Sequence, residues 1–296
     1  MKKAFPFLAT ISFLLASAVS ACAAPRAQHV FIISFDGGKP EVMKRSPMPL
    51  TFEMVKTGAA TWNAQTTFPS ITLTSHTSML TGVGPAKHKI LWNDWIPSRG
   101  LIKSPTIFGL AHDNGYTTAL FAGKAKFRHL NLPGTLDKFG IPSYSAKIVA
   151  QAAAKYIEAE QPNLCFIHFA DSDGAGHKYG WGTPEQVQSF ADEDAALQIV
   201  RDAVKKAGIE KQSVFILSAD HGGHEKTHGL NTPDDMTIPW IAWGEAVKPG
   251  FVIPNPVTTY DTAATALWLL DVPIPADFDG KPVESAFLPA PVKNIG

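Results

Sequence analysis

Carboxylates and imidazoles recur along this chain at spacings that suit divalent metal ions. Asp36 stands between an apolar run and two glycines, Asp173 and His177 are four residues apart like many chelating pairs, and Asp220 and His221 are adjacent, with His224 and His228 close behind. Oxygen and nitrogen donors of this kind match zinc. There are more of them than one ion takes, and two ions sharing a substrate oxygen is the economical reading, because a paired site steadies both the attacking and the leaving oxygen. A second stretch, Thr67 to Gly82 (TFPSITLTSHTSMLTG), collects hydroxyls around His76. Short hydroxylated side chains compete for backbone hydrogen bonds and favour caps and turns. The stretch therefore reads as a turn opening a helix, with Ser75, Thr77 and Ser78 available as caps. Within it Thr72 is either part of that cap or a nucleophile.

These residues need elements to position them. His29 to Phe35, Leu164 to Phe169 and Val214 to Leu217 are continuous apolar runs, which is how parallel strands buried on both faces read. Each ends at an acidic residue, and in open α/β sheets ligands bind at the carboxyl edge. Asp36 on its own could equally be a turn aspartate. Helices are expected over Pro49 to Thr57, Thr106 to Asp113, Ser145 to Glu160 (apolar stripe Ile148, Val149, Ala152, Ala153, Tyr156, Ile157), Pro184 to Ala207 and Asp261 to Leu270. Thr183 and Gly208 bracket the fourth of these as cap and stop. Asp194 falls on its buried stripe with no local reason to be there. The alternation predicts an α/β fold with a mainly parallel central sheet sandwiched by helices. Residues 94–144, rich in proline, glycine and polar residues, are expected to form a small cap over the active edge.

Two further features have open readings. Trp92-Asn93-Asp94-Trp95 is either a packed corner or a binding wall. Lys124, Lys126 and Arg128 are either a solvated loop or, following a strand and a glycine, a clamp for an anion.

The chain has 296 residues and equal numbers, 26 each, of basic and acidic side chains, with no charged block. One large core is within reach, and a nucleic acid polymer or a charged membrane surface is not an expected partner. Lys2 and Lys3, an apolar run to Val19 and small residues to Ala24 have the build of an export signal too short for a membrane span. Ala21-Cys22-Ala23 fits plain cleavage, and Val19-Ser20-Ala21-Cys22 resembles a lipobox that would lipidate Cys22. Either route predicts a periplasmic or secreted protein, in the second case lipid-anchored. Cys165, inside an apolar run, reads as a core residue with no disulfide partner in the mature chain.

Taken together, the Asp36-Gly37-Gly38 turn, TLTSHTSMLTG, Asp173-x-x-x-His177, Asp220-His221-Gly222-Gly223 and the C-terminal DGKPV resemble the alkaline phosphatase superfamily, and within it the type I phosphodiesterase/nucleotide pyrophosphatase family. The match covers nearly the whole mature chain, and the separations of Asp36, Thr72 and Asn93 are similar. The resemblance implies two divalent metal ions, zinc first among them. Asp173, His177 and His228 would hold one, and Asp36, Asp220, His221 and the Thr72 oxygen the other. Thr72 would be the nucleophile, in preference to Thr74 or Ser75, forming a phosphothreonine, and Asn93 would donate to a phosphoryl oxygen. His228 is preferred to His224, which is too close to His221 to reach the other ion. The stretch at Thr72 lacks the Cys/Ser-x-Pro-x-Arg pattern of sulfatases. Lys124 and Lys126 look like the lysine pair that monoesterase and phosphonate hydrolase relatives place over a dianion. The expected substrate is thus a small phosphorylated molecule, as diester, monoester or phosphonate. A periplasmic metal- or phosphate-binding protein without catalysis is the alternative of another class.

Overall fold

The mostly branched and aromatic runs His29–Phe35, Leu164–Phe169 and Ser213–Ser218 make adjacent inner strands of one eight-stranded sheet. The computed structural model describes Met1 and residues 25–254 and 256–289. The expected export signal and the alternatives at Cys22 lie outside the described residues. In chain order the strands are β1 (His29–Phe35), β2 (Ala59–Gln65), β3 (Thr118–Ala122), β4 (Lys138–Gly140), β5 (Leu164–Phe169), β6 (Ser213–Ser218), β7 (Thr237–Gly244) and β8 (Phe251–Val252). Their spatial order is β4-β3-β5-β1-β6-β7-β2-β8. Strands β5, β1 and β6 lie side by side in parallel, with Ser34 level with His168 on one flank and Ser218 on the other. Among the described strands only β7 runs against its neighbours, β6 and β2.

Side chains of a strand alternate between faces, and here each face has its own helices. The helices of seven or more residues are α1 (Pro49–Thr57), α2 (Thr72–Thr81), α3 (Ile107–Asp113), α4 (Ala146–Glu160), α5 (Asp171–Tyr179), α6 (Pro184–Lys206) and α7 (Asp261–Leu269). Val30 and Ile32 of β1 pack in one core with α2, α3 and α7, whereas Phe31, Ile33 and Phe35 pack in a second with α1, α4 and α6. The sheet is thus sandwiched, as the alternation of strands and helices predicts. Cys165 is fully buried in the second core, and burial pushes its thiol up.

Three local expectations change. Residues 94–144, expected as a cap, also supply α3 to one face and β3 and β4 to the sheet, where β3 pairs with β5. A strand is expected over Tyr116 to Ala122, and β3 lies there. Ile148, expected on a buried stripe, is 46% exposed. Val149, Ala153 and Ile157 of the same stripe are buried as expected. Asp194 has its reason across space: its carboxylate accepts from Leu50 N (3.0 Å), Thr51 N (2.8 Å) and Thr51 Oγ1 (2.6 Å) at the start of α1.

Candidate active site

Three adjacent strands deliver the acidic residues to one edge. Asp36 follows β1, Asp173 lies in the first turn of α5 just beyond β5, and Asp220 and His221 follow β6. Thr72 arrives from the other half of the sheet as the first residue of α2, whose N-cap position is Ile71 with no side-chain cap. The expected capping hydroxyls do other work. Ser75 Oγ accepts from Thr66 Oγ1, Thr77 Oγ1 donates to Leu73 O, and Ser78 Oγ pairs with His88 Nε2. Thr74 Oγ1 is tied to Ile90 O at 2.8 Å. Thr72 Oγ1 faces the acidic edge, 3.5 Å from His221 Nε2.

The metal-ligand candidates form two overlapping groups, Asp36 with Asp220 and His221, and Asp173 with His221 and His228, with donor atoms within 4.8 Å of one another in each. His221 Nε2 lies 3.4 Å from Asp36 Oδ1, 3.2 Å from Asp220 Oδ2 and 3.9 Å from Asp173 Oδ1. His228 Nε2 is 3.6 Å from Asp173 Oδ1, and its ring stacks on His221 at 3.6 Å. His177 Nε2 is 3.3 Å from Asp173 Oδ1, but this side chain is 45% exposed at the rim. His224 is turned away, bonded to Asp235 at 2.7 Å.

Two observations test whether these residues fit a divalent cation. First, Asp36 Oδ1, Asp173 Oδ1 and Asp220 Oδ2 are buried without a hydrogen-bond partner among the described residues, a costly condition unless a cation faces them. Second, the Nδ1 atoms of His177, His221 and His228 meet the carbonyl oxygens of Lys226 (2.9 Å), Gly222 (2.8 Å) and Ser70 (2.8 Å). A carbonyl only accepts, so each Nδ1 carries a proton, and the nitrogen left to ligate is Nε2, which faces the carboxylates. That is how metal-binding imidazoles are held. The donor set fits.

Charge is distributed unevenly. Burial would raise the Asp36 carboxyl, but the Lys124 ammonium, the bond from His168 and the neighbouring His221 hold it well below the usual range. Burial and Asp36 push Asp220 up to about 7, while His221, penalised by burial, is carried up to about 9 by Asp220 and Asp36. Burial, then the neighbouring His221, push His228 down to about 3. Lys124 Nζ joins Asp36 Oδ2 (2.7 Å) to Asp173 Oδ2 (2.6 Å). Lys126, two residues on, is partly buried, and burial followed by Lys124 lowers its ammonium. Asn93 Oδ1 accepts from Leu73 N at 3.0 Å, which seats the carboxamide beside the start of α2.

The sequence did not single out His168, His76 or Trp181 as part of this site. His168 Nε2 bonds Asp36 Oδ2 at 2.7 Å, and His76 Nδ1 bonds Thr72 O at 2.8 Å. Trp181 donates to Gly37 O and lies edge-on to His177 and His228. A histidine inside the apolar run of β5 was the one available signal. The indole fits because Gly37, Gly176 and Gly223 have no side chains: a Cβ on Gly223 would lie 2.2 Å from the ring.

Among curated proteins, human ectonucleotide pyrophosphatase/phosphodiesterase family member 5 is 26% identical over 238 residues, 72% of this chain and 49% of that protein. Human family member 1 is 22% identical over 216 residues, 64% of this chain and 23% of that protein. The chain thus spans about half the length of the first relative and a quarter of the second. Among solved structures, an inactive variant of murine family member 5 in complex with AMP superposes with a TM-score of 0.72 at 15% identity, covering 85% of this chain and 97% of that one. A 2-O GAG sulfatase gives 0.73 at 14% identity, covering 88% and 74%. At these identities the structures speak for the fold, a mostly parallel sheet between helices. Residues 30–235 match the type I phosphodiesterase / nucleotide pyrophosphatase family, and this chain belongs to it.

Proposed function

We propose that this chain hydrolyses small phosphoric esters outside the cytoplasm, with Thr72 as nucleophile at a site for two divalent metal ions, zinc first among the candidates. The observation that carries this reading is the placement of Thr72 Oγ1 3.5 Å from His221 Nε2, the nitrogen around which Asp36 Oδ1, Asp220 Oδ2 and Asp173 Oδ1 lie at 3.2–3.9 Å. Asp36, Asp220 and His221 would hold one ion and Asp173 and His228 the other, with His177 joining the second from the rim. Bound there, the ions supply positive charge that lowers the Thr72 hydroxyl pKa and offsets the charge on phosphoryl oxygens. Thr72 Oγ attacks phosphorus in line with the leaving alkoxide, and water then cleaves the phosphothreonine to restore the hydroxyl. Asn93 has its oxygen engaged by Leu73 N, so its amide hydrogens are the end offered to a non-bridging oxygen.

The two lysines divide the remaining work. Lys124 is already shared by two carboxylates and sets the charge of the site. Lys126 makes no hydrogen bond or ion pair among the described residues, so its ammonium is the one offered to a substrate anion. A monoester, with one more negative charge than a diester, gains most from it. AMP, present in the murine relative's structure, is accordingly a suitable first probe beside nitrophenyl phosphate, a diester and a phosphonate.

The test is turnover of these four compounds by zinc-loaded protein and by Thr72→Ala. A loss in kcat on the order of 10³-fold or more is expected in the variant. Undiminished turnover refutes the nucleophile. Zinc binding without hydrolysis of any ester favours a binding protein instead. Lys126→Ala is expected to lower monoester kcat/KM by about 10- to 100-fold, the worth of a charged hydrogen bond, and to leave the diester little changed. An unchanged monoester-to-diester ratio removes Lys126 from substrate recognition.

A further inference from the structure

We infer that His168, buried in the middle of the sheet, is a positioning residue that fixes which oxygen of Asp36 is presented as a ligand. The inference rests on the metal-site reading above. His168 is fully buried and lies level with Ser34 across the β1–β5 pair, beneath the turn that carries Asp36. Its Nδ1 accepts from Gly123 N at 3.3 Å, and its Nε2 lies 2.7 Å from Asp36 Oδ2. A backbone N–H only donates, so Nδ1 is bare and Nε2 carries the proton to Asp36. This is the reverse of His177, His221 and His228, whose Nδ1 atoms donate to carbonyls. His168 is therefore a holder of a ligand and not a ligand.

The consequence is a carboxylate with two unlike ends. Oδ2 receives both His168 Nε2 and Lys124 Nζ (2.7 Å), while Oδ1 has no hydrogen-bond partner among the described residues and points toward His221. Rotation about the Asp36 side chain would exchange the ends, and His168 prevents it. The ring is held as well, because Gly123 N engages its other nitrogen and Phe127 (tilted, 4.6 Å between centroids) and His76 (T-shaped, 5.0 Å) pack against it. Gly123 precedes Lys124 directly. One imidazole thus ties the lysine loop to the Asp36 ligand and keeps both in register.

Two amide variants separate this role from bulk packing. Gln places its amide nitrogen near the position of Nε2 and retains the bond to Asp36. Asn places its amide near Nδ1, retaining an acceptor for Gly123 N while losing Asp36. Zinc affinity of each purified protein is measured by competition with a chromogenic chelator, alongside KM and kcat at saturating zinc. His168→Asn is expected to weaken one of two zinc sites by about 10- to 100-fold, the usual effect of losing a ligand's supporting hydrogen bond. His168→Gln should stay within about threefold of the parent protein, and KM should follow kcat in neither variant. Equal zinc affinities in both variants and the parent overturn the inference while leaving the metal site standing. A parent protein that binds no zinc overturns the metal site itself. Nitrogen NMR of the unsubstituted protein gives a second reading that needs no variant to fold: the His168 ring should be the Nε2–H tautomer, and an Nδ1–H tautomer overturns the inference.

Discussion

His88 shows how a hydroxyl-rich stretch is held together away from the reacting atoms. Its Nδ1 accepts from Ile90 N at 3.0 Å, so the proton sits on Nε2 and faces Ser78 Oγ at 2.9 Å. Burial pushes this ring down to about 4, and a second proton on Nδ1 would confront the Ile90 N–H. Because the folded value lies below the ordinary value of 6.5, the unfolded chain takes up a proton first as pH falls. Stability contributed by neutral His88 is complete above about pH 6.5 and is lost progressively down to about pH 4. His88→Asn keeps an acceptor for Ile90 N and removes the titration. Its unfolding free energy should lose about 1–2 kcal/mol less than the parent's across that window, allowing for solvent near the ring. Parallel pH profiles from denaturant titrations would count against this account. The sequence could mark Thr66 to Ser78 as a turn with a helix behind it, yet it could not assign the hydroxyls, because Thr66 with Ser75 and Ser78 with His88 are partners only once the helix has formed.

At the scale of elements, long apolar runs were legible because burial on both faces leaves no polar position to confuse the pattern. Strands β1, β5 and β6 and helices α4, α6 and α7 fall where the sequence puts them to within a few residues. Within residues 94–144 the strand at Tyr116 to Ala122 is legible as β3, whereas β4 spans three residues, too few for any periodicity, and the pairing of β3 with β5 shows only in space. Asp194 is a similar case, since its function lies on another helix. There it caps α1, where a carboxylate meets unsatisfied amides and the positive end of the helix dipole. Asp194→Ala would leave Leu50 N, Thr51 N and the Thr51 hydroxyl without their acceptor in a buried place. A loss of about 2–4 kcal/mol is expected in equilibrium unfolding, with kcat unchanged because α1 packs on the face opposite α2. A loss below about 0.5 kcal/mol would mean that water replaces the cap.

Across the whole molecule, the sheet brings together residues that are nearly two hundred positions apart, and the carboxyl edge of β5, β1 and β6 concentrates three acids in a buried space. The acids and imidazoles were visible in the sequence from their types and spacing. What was not visible was Lys124 lying between Asp36 and Asp173, since nothing in a lysine's neighbours says which carboxylates it will meet. This contact makes Lys124 and a bound metal ion alternative sources of the same counter-charge. Zinc binding to the folded state alone raises stability by about 2.7 kcal/mol at a hundredfold excess over Kd, or about 5–10 °C in Tm for a chain of this size. In Lys124→Met the metal-free protein holds Asp36 and Asp173 without their shared cation, and it should melt well below the metal-free parent. Once zinc is added, both proteins have counter-charge at the carboxylates, and the two melting curves should draw closer. The rise in Tm on zinc addition is therefore expected to be larger in Lys124→Met than in the parent. An equal or smaller rise, measured by calorimetry after chelation and reloading, would show that the lysine and the metal do not share the task of neutralising this edge.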